Sequence, residues 1–164
     1  MNDISTTMRT LRALCGSWNG HGRASYPTIG QYEYREQLQF KEDTERPLLF
    51  YEQRAEQREI GQEKYSASHW EAGFLLVTGP GVIRLTNAQD SGMLEVLELR
   101  LTMFENGFRL AGDALGHFND PRMVAARRMF ELRGNHLKYE VEMATNNVLT
   151  RTLHLIAELK KAAA

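Results

Sequence analysis

The chain has 164 residues, 42% of them hydrophobic and 25% charged, an ordinary globular mix, and that length suits one domain over residues 1–164. Its single cysteine, Cys15, excludes an internal disulfide and any thiolate cage for zinc or iron–sulfur. Lys and Arg number 20 against 21 Asp and Glu, a net charge of −1, so no basic excess favours nucleic acid, and no apolar run is long enough for a membrane-spanning helix.

The N-terminal stretch MNDISTTMRTLRALCGSW mixes charges into its apolar residues and has no leader-like core, so we expect a cytoplasmic chain. Within it, Ile4, Met8, Leu11 and Leu14 fall near one helical face. That spacing predicts a short helix over residues 3–14, capped by Asp3 or Ser5 and ended by Gly16. After Trp18 the period changes to two. In QYEYREQLQF, Tyr32, Tyr34, Glu36, Leu38 and Phe40 share one side, and Glu33, Arg35, Gln37 and Gln39 share the other.

Further strand-like segments follow at short spacing, separated by Gly79-Pro80-Gly81, Ser91-Gly92, Glu105-Asn106-Gly107, Asn119-Asp120-Pro121, Gly134-Asn135 and Asn146-Asn147. Two segments, MVAARRMFEL and LHLIAELKKAAA, are helix-compatible by propensity. Gly134-Asn135 ties the first tightly to HLKYEVEM, so it reads as one arm of a hairpin. About ten strands with short connections predict an all-β fold, an antiparallel β-barrel preceded by a short helix. Trp18, Tyr34, Phe40, Phe74 and Tyr139 are expected in the core or lining a pocket.

No nucleotide loop, HExxH or GxSxG occurs. Cys15 reads as an inert buried thiol. The sharpest local feature is Gly16-Ser-Trp18-Asn-Gly20-His-Gly22, whose period-two glycines share one strand face. They leave room either for a flat ligand or for the bend that closes a barrel, and the bend is the simpler reading.

With YPTI at residues 26–29, this segment resembles the GxWxGxG…YPTI signature of the nitrobindins, haem-binding barrels akin to fatty-acid-binding proteins and lipocalins. Ala24 stands where many members carry another glycine. The likeness extends along the chain, through YEYRE at 32–36, RPLLFYEQ at 46–53, HWEAGF at 69–74 and AQDSGMLEV at 88–96. It implies one haem b per chain, held through a histidine near the C-terminus. The ending HLIAELKK resembles the family's H-L-x-A-x-L-x-K, which makes His154 the implied iron ligand and catalytic residue. The preceding loop differs in length. Neighbouring alignments bring Leu153 or Thr152 to that place, and His154 is the one of the three able to bind iron.

The resemblance further implies that Thr28, His69, Gln89 and Met143 line the haem cavity, with His69 not ligating the iron. It implies ferric haem that binds nitric oxide and isomerises peroxynitrite to nitrate. A strand with His154 inward turns Leu153 and Leu155 outward, an apolar patch that a homodimer could cover. His21, His117 and His136 match nothing and read as surface or loop residues, and Arg54 and Arg128 as solvated charges. The alternative function is a haem-free carrier of a fatty acid or another small apolar ligand; a purely structural barrel would bind neither.

Overall fold

A computed structural model describes residues 3–26 and 30–163. Helix α1 spans Ile4–Leu11 and continues into a 3₁₀ turn, Arg12–Leu14. Ten strands follow: β1 Gly16–Tyr26, β2 Gly30–Glu42, β3 Leu48–Glu59, β4 Ser66–Gly79, β5 Val82–Gln89, β6 Leu94–Phe104, β7 Gly107–Phe118, β8 Met123–Arg133, β9 His136–Thr145 and β10 Val148–Lys161. Each pairs antiparallel with its neighbour in sequence, and β1 pairs with β10 to close the barrel. Both helix-compatible segments are strands, because each is a central rung whose backbone groups are needed on both sides.

Helix α1 plugs one end. The Asp3 side chain caps it by accepting from the Thr6 amide at 2.6 Å. Met8, Leu11 and Leu14 enter the barrel core, and the Gly81 amide of the β4–β5 turn donates to Thr7 Oγ1 at 2.9 Å. Trp18, fully buried, donates its indole N–H to the Leu14 carbonyl at 2.7 Å, which fixes the 3₁₀ turn against β1.

The glycine signature belongs to barrel closure. A Cβ on Gly20 would lie 2.0 Å from the Glu158 carbonyl oxygen of β10, and one on Gly22 would lie 2.7 Å from that of Ile156. Backbone meets backbone there, as the bend reading requires. Gly16, at φ +120°, starts the strand in a conformation that L side chains rarely adopt.

Of the five aromatic residues expected inside, Trp18, Tyr34, Phe40 and Tyr139 are buried, but Phe74 is 47% exposed. It packs on Phe50 on the outer face, with ring centroids 5.8 Å apart. The inward phase of β4 is instead Glu71, Gly73, Leu75 and Val77. Cys15 is half-buried against the core, and burial raises its thiol pKa, in keeping with an inert group.

Candidate functional site

The interior changes character along the barrel axis. Near α1, the inward positions are Leu38, Phe40, Leu49, Leu75, Val77, Ile83, Leu85, Leu97, Leu99, Leu110, Leu132 and Leu159. Toward the open end the same faces turn polar: Glu36, Gln53, Glu71, Asn87, Glu95 and Arg128 are all buried. All of these but Asn87 help line a chamber of about 170 Å³, together with Tyr34, Ala55, His69, Gln89, Met93, Tyr139, Met143 and Leu155.

Two hydrogen-bonded groups make up the chamber floor. In the first, the Arg128 guanidinium donates to both oxygens of Glu71, at 2.6 and 3.0 Å, and lies 2.7 Å from Glu95. Tyr51 donates to Glu71 Oε1 at 2.8 Å, and Asn87 donates to Glu95 at 3.2 Å. Burial alone would raise the Glu71 pKa, but Arg128, and then His69, hold it well below the usual carboxylate range. Glu71 is therefore ionised and can only accept. His69 Nε2, 3.0 Å from Glu71 Oε2, must carry the proton, so the lone pair of the neutral ring lies on Nδ1.

The second group has no cation of its own. Tyr139 donates to Glu36 Oε1 at 2.5 Å, and Gln53 donates to the same oxygen at 3.4 Å and to the Tyr139 hydroxyl at 2.8 Å. Burial pushes the Glu36 carboxyl up to about 7, against the lowering effect of the Tyr139 hydrogen bond. Glu36 Oε2 is buried and accepts no hydrogen bond among the described residues.

His154 lies at the open end, 5% exposed, in a cleft of about 260 Å³ with Ala24, Tyr32, Leu153 and Leu155. Its Nδ1 is 2.8 Å from the Thr152 carbonyl. A carbonyl only accepts, so Nδ1 bears the hydrogen and the lone pair of the neutral ring is on Nε2. This is the tautomer of an imidazole that binds metal through Nε2. A register shift between Leu153 and Leu155 in the β9–β10 ladder makes this possible. Without it, an inward His154 would turn Leu155 outward, as strict alternation predicts. With it, His154 is buried while Leu155 lines the chamber, and Ala157 and Leu159 continue the inward face. Of the expected outer patch, Leu153 alone remains, 46% exposed.

His69, Gln89 and Met143 line the chamber together. Thr28 lies outside the described residues. Two expectations need correction. Arg128 is no solvated charge: it is the buried partner of two carboxylates. His117 is not a free surface residue, since its side chain is 9% exposed and Nε2 is 3.3 Å from Glu95 Oε1. Arg54 is exposed, paired with Glu52 and stacked over Trp70 at 4.2 Å. Sequence reasoning also missed Glu36, Glu71 and Glu95 as site residues. The inward phase of β2 held a signal for the first, a glutamate flanked by Tyr34 and Leu38 on one face.

Residues 7–161 match the family described as "THAP4-like, heme-binding beta-barrel domain". The chain belongs to this family. It is the nitrobindin family to which the sequence motifs pointed. Among curated relatives, the Nocardia farcinica peroxynitrite isomerase is 31% identical over 155 residues, spanning 92% of this chain and 88% of its own. Peroxynitrite isomerase 1 of Rhodococcus jostii is 32% identical over 152 residues, 92% and 82% of the two chains. The crystal structure of Rv2717c from M. tuberculosis superposes with a TM-score of 0.84 at 27% identity, covering 96% and 98%. An S-type phycobiliprotein lyase from Guillardia theta shares the fold at a TM-score of 0.61 and 10% identity, covering 99% and 94%. No helix among the described residues is long and apolar enough to cross a membrane.

Proposed function

We propose that this nitrobindin-family barrel binds one haem b through His154 and isomerises peroxynitrite to nitrate, with nitric oxide as a further ligand. The buried His154, its Nδ1–H tied to the Thr152 carbonyl, carries the reading. It offers an oriented nitrogen donor at the open end of a haem-binding fold. The donor set fits haem: one imidazole, small and apolar walls at Ala24, Ala55 and Leu155, and a polar cavity beyond. Bound ferric haem supplies an iron position on which peroxynitrite can rearrange to nitrate.

The chain's own residues hold and surround that group. His154 anchors it. Met143 and Gln89 line the cavity, and Thr28 is proposed as a contact at the porphyrin edge. His69 is oriented in the cavity wall by the contact of its Nε2 with Glu71. A cytoplasmic location and a homodimer complete the proposal; Leu149 and Leu153 are exposed apolar residues of β10 that a second copy would cover.

Lipid carriage is the weaker reading, because an acyl chain entering the barrel would meet Glu36, Glu71 and Glu95. A haemin titration followed by absorbance tests the choice. Wild-type chain should develop a Soret band at one equivalent. His154→Ala should lose haem on gel filtration, with a shifted band, whereas His69→Ala should keep haem and change ligand binding rates. An unchanged spectrum and full haem retention in His154→Ala overturn the assignment.

A further inference from the structure

The chamber's charges do not balance. Three carboxylates, Glu36, Glu71 and Glu95, line it against one guanidinium, that of Arg128. The terminal nitrogens of Arg128 are committed to Glu71 and Glu95. The other deep donors are committed in the same way. Tyr51 faces Glu71, Tyr139 and Gln53 face Glu36, Asn87 faces Glu95, and the His69 N–H faces Glu71. Among the described residues of this network, the buried polar atoms without a hydrogen bond are Arg128 Nε, on a guanidinium that both carboxylates neutralise, His117 Nε2, which faces Glu95, and two acceptors, Asn87 Oδ1 and Glu36 Oε2. An anion at the floor would find little to donate to it and an excess of negative charge. A neutral guest meets no such penalty.

We propose that Glu36 makes the chamber selective against anions, so that the guest reaching the floor is neutral: an uncharged diatomic or the protonated form of a small acid. The proposal rests on the haem reading above and names a specificity residue for it. Glu36 is the member able to change the selection, because it has no cation to hold it ionised. The groups around it are Tyr139 on β9, Gln53 on β3, His69 and Glu71 on β4 and Arg128 on β8, while β1 presents Gly20 at the paired position. When Glu36 is protonated, Oε1 still accepts from Tyr139 and Gln53, and the proton rides on Oε2. The chamber then loses one negative charge and gains a hydrogen-bond donor. Selection against anions thus strengthens as pH rises through neutrality.

Ferric haem-loaded chain, titrated with azide as the anionic probe and nitric oxide as the neutral one, tests this between pH 6 and 8. Azide stays anionic over that range. In the wild type, azide affinity should fall about tenfold relative to nitric oxide from pH 6 to 8, the effect of one added charge at an effective dielectric near 20. Glu36→Gln should flatten that dependence and bind azide about tenfold more tightly than wild type at pH 8, with nitric oxide within about twofold. Steps from other titrating groups persist in both proteins and so separate from this one.

Tyr139→Phe gives a second reading, because it removes the donor that favours ionised Glu36. It should move the midpoint of the azide dependence to higher pH. Equal azide-to-nitric-oxide ratios in wild type and Glu36→Gln at pH 8 overturn the proposal, as does an unmoved midpoint in Tyr139→Phe. Absence of a Soret band on adding haemin overturns the haem reading itself, and this proposal with it.

Discussion

Along the inward face of β5, Ile83 and Leu85 lie in the apolar half, and one step further Asn87 reaches Glu95 in the polar half. The two halves bury their side chains to a similar degree but gain stability differently. In the α1 half, each fully buried Leu or Ile contributes about 1.5–3 kcal/mol by leaving water, with no geometric condition beyond fit. In the open half, burial costs free energy unless partners are in place, and Arg128 with its two carboxylates meets that condition for three charges at once. The first half makes the barrel stable. The second sustains a polar interior at a stability cost that a purely structural barrel would not need.

Substitutions can break this contrast, and the largest effect belongs to the polar half. Arg128→Met leaves Glu71 and Glu95 buried without their cation and should cost about 3–5 kcal/mol in urea unfolding. Replacing all three residues by apolar ones of similar volume should recover most of that loss. A single-variant cost under about 1 kcal/mol would show that the network does not hold its charges as described. In the apolar half, Leu85→Ala should cost about 3 kcal/mol through lost transfer energy and a cavity. It should leave haem uptake intact, which separates the two halves by function as well as by energy.

Glu36 sharpens the contrast through pH. Its folded carboxyl, raised from 4.5 to about 7, binds more protons folded than unfolded. Its stabilising contribution is therefore full below 4.5 and lost as pH rises through about 7. The size is on the order of 3 kcal/mol. Glu36→Gln should remove this decline from the unfolding midpoint measured against pH, and an unchanged slope would show that Glu36 does not titrate there. The smallest effect is at the plug. Asp3→Ala removes the α1 cap and should lower stability by about 1 kcal/mol, read from the thermal midpoint.

The apolar half was legible in the sequence and the polar half was not, for one physical reason. Alternation marks a strand face by its hydrophobic residues. That rule places Leu38 and Phe40 inside, and it worked for the strand count and the closing glycines. On β4 the inward face reads His69, Glu71 and Gly73, while Trp70, Ala72 and Phe74 point out. Hydrophobicity there favours the wrong side, so Phe74 was expected inside. Arg128 failed alike, since no local pattern tells that two distant glutamates wait for it on β4 and β6. The extra residue near His154 was hidden as well, because a bulge is a property of the paired strands rather than of either sequence. What the motifs did carry was the membership of the family.

The register shift at His154 has a mechanical meaning. It works as a clutch between the two ends of β10. Beyond it, Ala157 and Leu159 are meshed with the hydrophobic packing and cannot slip by one position without turning a whole face outward. Before it, the segment from Val148 to Leu153 is not bound by that phase, and the imidazole grips its Thr152 carbonyl. Loop length between β9 and β10 can therefore drift by a residue or two while the barrel keeps its gears aligned. The aim of the imidazole can be retuned without recasting the rest of the machine.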